Sequence, residues 1–173
     1  MANISYKEIE AYVEEVLRAC RTEELIQVAL VRLEKVLPYW NNVYEGKSLT
    51  SLDGFDLEYA SGDLINEALE MAKLFLGRNS DGAMSSQEAK RVKRIRADFE
   101  YMTHIWKDFL YSMDQPQSTV MYITWNLFEA SIVWANDLEL SNKKFKTAIS
   151  KTFWAQYEKG EDIHRLLQEW KVS

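Results

Sequence analysis

Hydrophobic residues recur every three or four positions along most of the chain, a spacing typical of amphipathic α-helices. Seven segments carry such an apolar face, at residues 5–20, 22–38, 65–77, 85–113, 118–140, 145–153 and 163–170. Helices with one apolar face must bury that face against other helices. We therefore predict an all-α protein in which residues 1–173 form a single domain, a bundle of six or seven antiparallel helices.

A few local signals mark the ends of these helices. Two Ser-x-x-Glu sequences, beginning at residues 5 and 85, have the spacing of a capping box, which satisfies free N–H groups at a helix start. Pro38 lacks the N–H that a helix interior needs, so we expect the second helix to end or kink there. Gly77 is expected to end the third helix in a left-handed conformation.

Three longer segments complete the predicted architecture. Residues 41–62 lose the helical pattern and contain turn residues, which predicts the longest connection of the protein. The stripe from Val92 to Met113 repeats its apolar residues over three heptads, so it should pack lengthwise against a partner helix. Residues 118–140 contain no Lys or Arg and have apolar side chains around most of the helix, which predicts a central, buried helix.

Composition excludes several classes of protein. With 47% hydrophobic residues in 173, and only six Gly and two Pro, the chain is neither disordered nor collagen-like and is long enough for one core. The single cysteine, Cys20, shares a helical face with Val13 and Leu17, so we expect a buried, inert thiol. No secretory leader or membrane-spanning segment is recognised. We therefore expect a cytoplasmic protein.

The formal net charge is −6, and the excess of acid lies in residues 1–76, which contain 14 acidic and 7 basic side chains. A surface built from this half would attract a basic partner. Large amphipathic rings beside carboxylates are typical of interface anchors, although burial in the core is the alternative for such rings. We predict a partner-binding surface of six residues near the long connection: Trp40, Tyr44, Asp53, Asp56, Glu58 and Asp63.

Two phosphate-related patterns are incomplete. The tripeptide Gly-Lys-Ser at 46–48 matches the end of a phosphate-binding loop, but Asn41 stands where the first glycine is needed. The basic run at 90–96 could neutralise phosphates, yet Arg94 and Arg96 each have an acidic residue four positions later, as on a solvated helix face. The negative net charge also opposes a polyanion. We predict no cofactor and no nucleic-acid partner.

One feature of the sequence supports a metal site. Glu161 and His164 have the spacing of the Glu-x-x-His element of di-iron helical bundles, in which both side chains face the metal from one helix. Such a site needs a second element, and the other histidine, His104, has Tyr101 three positions earlier instead of an acid. We predict no metal ligands and no catalytic residues, hence not an enzyme. A small helical metal-dependent enzyme that uses His104 or His164 is the alternative.

Part of the chain resembles a known family. Leu33–Trp40 form a Leu-Pro-aromatic helix end, a polar spacer follows, and the next helix closes with Leu-Phe-Leu-Gly at 74–77. Residues 125–134 are similar to an aromatic and alanine-containing C-terminal helix. This pattern resembles the helical immunity proteins encoded beside bacterial polymorphic toxins. The resemblance implies a bacterial inhibitor that binds a cognate toxin protein with a basic surface, stoichiometrically and without catalysis.

A third interpretation concerns the heptad stripe. A helical adaptor or self-assembling module would present the stripe from Val92 to Met113 to another chain. The sequence alone leaves a monomer and a dimer both open.

Overall fold

The computed structural model describes residues 3–50, 56–78, 84–105 and 115–170, with the backbone alone at 48–50, 56–61 and 104–105. These residues contain seven α-helices, a π-helical turn and two short strands. The helices are α1 Tyr6–Leu17, α2 Thr22–Tyr44, α3 Leu64–Gly77, α4 Ser86–Glu100, α5 Gln115–Val133, α6 Leu138–Glu158 and α7 Ile163–Glu169. The predicted all-α class and helical bundle are confirmed.

The helices α5 and α6 form the centre of the bundle. They are joined by a four-residue turn and pack more extensively against each other than any other pair. Helix α2 packs against both of them, α3 packs on α5, and α1 and α7 pack on α6. Because the buried apolar side chains form one cluster, the described helices share a single core.

Both predicted capping boxes are confirmed, since Ser5 and Ser85 each accept a hydrogen bond from the backbone N–H three residues later. Of the two outcomes expected at Pro38, a helix end or a kink, the helix end is wrong, because α2 runs through Pro38 to Tyr44. A proline inside a helix costs about 3 kcal/mol. Complete burial of a large apolar side chain such as Trp40 contributes a comparable amount, about 1.5–3 kcal/mol, which keeps the helix intact.

The third helix ends at Gly77 as predicted, because Gly77 is the last residue of α3. Its predicted left-handed conformation is wrong, since Gly77 is not among the described glycines with positive φ. The segment predicted as one helix over 118–140 is divided, because α5 ends at Val133 and Asp137 caps α6 by accepting a hydrogen bond from the Leu140 N–H at 3.0 Å. The apolar spacing alone predicts one continuous helix, but the turn and its aspartate cap divide the segment into two helices.

Part of the predicted long connection is a β-hairpin, which the helical and turn signals did not predict. Strand β1 (Ser48–Thr50) pairs antiparallel with β2 (Asp56–Ser61) in an irregular register. An isolated two-stranded hairpin is marginal in water. This hairpin is held by the residues at its base, which contact α2.

The described part of the heptad stripe is buried within the protein's own core. Val92, Ile95, Phe99 and Met102 are at most 4% exposed. The helix changes to a π-helical turn at Tyr101–Ile105, and the rest of the predicted stripe, residues 106–113, lies outside the described residues. The buried part of the stripe is therefore not available to another chain.

Candidate functional site

The two aromatic residues of the predicted surface lie at the C-terminal end of α2, and one of them is a core residue. Trp40 is 0% exposed, and its indole N–H donates a hydrogen bond of 2.7 Å to the Gly62 carbonyl oxygen. Its ring lies 4.7 Å from the half-buried ring of Tyr44, centroid to centroid. The prediction of Trp40 as a surface anchor is therefore wrong, because the indole is fully buried and its N–H is bonded within the protein.

The predicted carboxylates do not form a described acidic patch. Asp63 is exposed, and its Oδ1 accepts a hydrogen bond of 2.8 Å from the Gly46 N–H, which closes the base of the hairpin. Asp53 lies outside the described residues, and Asp56 and Glu58 lie in β2, where the backbone alone is described. Of the four predicted carboxylates, Asp63 is the one whose side chain is described, and it stabilises the base of the hairpin.

A groove of about 750 Å³ runs between α2 and α7, which both pack on α6. Val28 and Val31 line it from α2, and Leu166 and Trp170 line it from the other side. Val31 is 54% exposed although it is apolar. Trp170 is half-buried, with its ring 4.9 Å from the ring of Phe153 in an edge-on arrangement. The volume lies within the range of protein ligand sites.

Three carboxylates lie around this apolar surface. Glu23 and Glu169 form no ion pair with any described residue, and Glu24 has an exposed contact of 3.9 Å with Arg21. Some acids elsewhere are used internally, as Glu14 is, at 2.9 Å from the Lys146 amine. Because carboxylates on a rim keep their long-range field, the groove favours an apolar ligand with positive charge around it. We call this region the α2/α7 groove.

Arg32 also lines the α2/α7 groove, yet it is only 4% exposed. Its Nε donates to the Thr152 hydroxyl at 3.1 Å, its Nη2 donates to the Gln156 side-chain oxygen, and its guanidinium carbon lies 3.6 Å from the Phe153 ring centroid. Burial lowers the pKa of Arg32 to about 10, which the nearby Glu161 carboxylate partly opposes. The guanidinium is therefore a charged group held in a poorly solvated position.

The sequence analysis did not identify Arg32 or the α2/α7 groove. One signal was available: Arg32 lies three residues after Ala29 and four before Val36, both of which are buried. A lone arginine on the apolar face of a helix indicates a buried cation with specific partners. The pairing of α2 with α7, which makes the groove, had no local signal.

The basic run on α4 is balanced by neighbouring helices. Arg91 and Arg94 both pair with Glu67 of α3, Arg91 at 3.4 Å. Arg96 forms a two-point ion pair with Glu129 of α5, at 2.7 and 2.8 Å. These contacts to other helices replace the ion pairs predicted within α4. A basic surface built from this run is correspondingly weakened.

Glu161 and His164, which have the spacing of a di-iron element, do not lie on one helix. Glu161 precedes α7, which Asp162 caps, and it accepts a hydrogen bond of 3.3 Å from the Tyr39 hydroxyl. His164 is exposed on α7, while the side chain of His104 is not described. Among the described side chains, no group of three or more His, Cys, Asp or Glu has the arrangement to hold a metal ion.

Cys20 is half-buried rather than fully buried. Burial and the nearby Glu24 carboxylate raise the pKa of its thiol. Since the thiolate is the reactive form, the predicted inert thiol is supported by this environment, although the predicted depth of burial is not.

Comparison with protein-family models, with curated proteins and with solved structures gave no match to the chain. In the part of the chain that the structure describes, no helix combines the length and the apolar character that a membrane span requires.

Proposed function

We propose that this protein is a stoichiometric inhibitor that binds a cognate bacterial toxin protein in the cytoplasm, and that the α2/α7 groove is its contact surface. One observation carries the proposal: an apolar surface that includes the exposed Val31 is bordered by Glu23, Glu24 and Glu169. Apolar side chains inside a charged rim are typical of protein interfaces. The resemblance of the sequence to helical immunity proteins supports the inhibitory role.

The chemistry of the groove selects one kind of occupant. Counted over the described residues, its rim has three carboxylates and one exposed amine, that of Lys35. A partner segment with apolar side chains facing the floor and Lys or Arg toward the rim would match both features. Toxin domains that act on nucleic acids need a basic surface, so a segment from such a domain has the required charge.

The rim acids provide the test of this proposal. The variant Glu23→Gln, Glu24→Gln and Glu169→Gln removes three negative charges, and glutamine at 24 still suits the capping box of α2. The matched control changes three exposed acids outside the groove to glutamine, namely Glu15, Glu34 and Glu70. Both variants have the same net charge.

The binding assay uses the protein encoded beside this one as the partner and measures its affinity by titration calorimetry at low and high salt. We expect the groove variant to bind at least about tenfold more weakly than the control at low salt, with a smaller difference at high salt. Equal affinities of the two variants would overturn the groove as the contact surface. No binding of the neighbouring protein to the wild type would overturn the inhibitor proposal itself.

A further inference from the structure

Among the residues that the structure describes, no anion is paired with the buried cation Arg32. No carboxylate oxygen of the described residues lies within 4.0 Å of its guanidinium, whose hydrogen-bond partners are the neutral side chains of Thr152 and Gln156. Buried charges in proteins are normally paired with an opposite charge. The acid that acts on it most strongly, Glu161, is exposed and accepts its hydrogen bond from Tyr39.

The arrangement of Arg32 leaves it able to bind an anion that enters the α2/α7 groove. A guanidinium has five N–H donors, and the described residues accept from two of them, on Nε and Nη2. Phe153 packs against the guanidinium and against Trp170, so one ring supports both the cation and the apolar wall of the groove. The side chain is therefore held in one orientation before a ligand arrives.

The rim decides which anion is suitable. Glu23, Glu24 and Glu169 repel negative charge, and they repel a doubly charged phosphate more strongly than a singly charged carboxylate. A planar guanidinium also binds a carboxylate through two parallel hydrogen bonds. The walls of the groove are apolar, which favours a stem without charge. A carboxylate carried on an apolar stem, with positive charges near the rim, meets all three conditions.

We propose that Arg32 is the binding site for an acidic side chain of the partner segment, one that enters the groove between apolar neighbours and is flanked by basic residues. This inference rests on the proposed function, because it concerns the segment that the α2/α7 groove accepts. It goes further by requiring one acid inside an otherwise basic sequence.

Two short peptides test the inference on the isolated protein. Both are acetylated and amidated, and both have the order lysine, leucine, X, leucine, lysine, with X either glutamate or glutamine. Binding is followed by nuclear magnetic resonance through the indole N–H of Trp170 and the Arg32 Nε–H. We expect the glutamate peptide to bind about tenfold more tightly, the size of effect typical of a hydrogen-bonded charge pair. Equal affinities in the wild-type protein would overturn the inference, whether or not any variant folds.

Variants then assign the preference to one residue. Arg32→Gln should abolish the preference for glutamate. Lys35→Gln, which removes the other cation that lines the groove among the described residues, should keep most of it. Thermal unfolding of each variant shows that it is folded. A preference retained in Arg32→Gln would overturn the assignment, and so would tighter binding of a peptide with phosphoserine at X.

The two proposals fail in different ways. An intact glutamate preference together with no binding of the neighbouring protein would overturn the toxin proposal alone. Binding of the neighbouring protein, with equal affinities for the two peptides, would overturn the role of Arg32 alone.

Discussion

Two regions beside α2 each combine an aromatic ring with carboxylates, and they use these groups in opposite ways. At the C-terminal end of α2, Trp40 is fully buried and donates to Gly62, and the Asp63 carboxylate accepts from Gly46. We call this region the hairpin junction. In the α2/α7 groove, the side chains of Val31, Glu23 and Glu169 are left exposed instead.

The comparison shows that an aromatic ring next to carboxylates does not by itself mark a binding surface. What distinguishes the two regions is whether the polar atoms are already satisfied by the chain's own groups. In the hairpin junction, Asn41 and Asn66 even bond to each other's side chains, at 2.9 and 3.3 Å. In the groove, Glu24 accepts a hydrogen bond from the Arg21 N–H, but Glu23 and Glu169 form no ion pair with any described residue. A junction with satisfied polar groups stabilises the fold, whereas a groove with unpaired rim acids can bind a ligand.

The largest expected effect comes from removing the indole of the hairpin junction. Trp40→Ala should lower the free energy of unfolding by about 3–5 kcal/mol, because it leaves a large cavity and an unpaired Gly62 carbonyl oxygen. Trp170→Ala in the groove should cost clearly less, since that ring is half-buried. Guanidinium chloride unfolding measures both. Equal losses would contradict the contrast between the two regions.

A smaller effect is expected where the backbone of the junction is most closely packed. A Cβ added at Gly62 would lie 1.6 Å from the Tyr44 carbonyl oxygen. Gly62→Ala should therefore destabilise the protein by about 1–3 kcal/mol. The control is Gly77→Ala, for which we expect no loss of stability. Its Cβ would meet nothing within 4 Å, and alanine stabilises a helix more than glycine does. A stable Gly62→Ala protein, as judged by thermal unfolding, would show that the junction is not tightly closed.

Asp98 on α4 gives a third case, a buried carboxylate whose side chain accepts no hydrogen bond from the described residues, unlike that of Asp63. Burial raises the pKa of Asp98 from 3.8 to about 6; Arg94 opposes this and Glu67 adds to it. The folded state then binds more protons than the unfolded state between about pH 4 and 6. Stability from this group is therefore present at low pH and is lost as the pH rises through that window.

Substitution of Asp98 tests the predicted direction of this pH dependence. Asp98→Asn should be more stable than the wild type at pH 7, by about 1–2 kcal/mol, and the two should converge near pH 4. The exposed Glu100→Gln on the same helix should leave the pH profile unchanged. Urea unfolding at several pH values measures the difference. A less stable Asp98→Asn protein at pH 7 would show that Asp98 has a partner that stabilises its charge.

The smallest effect on stability is expected in the α2/α7 groove. Val31→Ser should change the free energy of unfolding by less than about 0.5 kcal/mol, because the side chain is mostly exposed. It should still weaken partner binding in the calorimetric assay. Val36→Ser on the same helix is the matched control, with a fully buried side chain and a much larger loss of stability. A strongly destabilised Val31→Ser protein would mean that the groove is part of the core.

Local sequence signals predicted the helices well because each helix must bury an apolar face. The apolar faces of α1 and α6 are buried as their spacing requires. They consist of Ile9, Val13 and Leu17 in α1, and of Phe145, Ile149 and Phe153 in α6. A residue that disfavours helix within a single turn predicted a helix end less well where side-chain packing stabilises a continuous helix. Pro38 predicted a helix end, but the burial of neighbouring side chains outweighed the lost hydrogen bond.

The candidate site was harder to predict than the fold. Trp40 had the residue type and the acidic surroundings of an anchor, and its burial depended on a carbonyl oxygen 22 positions later in the chain. The α2/α7 groove joins residues near position 30 to residues near position 168, and local pattern carries no information about such a distant pairing.

The sequence by itself determined the all-α class, the register of the buried helix faces, both capping boxes and the negative net charge, because these depend on spacing and composition within a few turns. Only the tertiary structure decided which aromatic rings and carboxylates are used internally. That choice depends on which backbone and side-chain groups, remote in the chain, come within hydrogen-bond distance once the helices pack. The buried Arg32 at the α2/α7 groove is the clearest result of that packing.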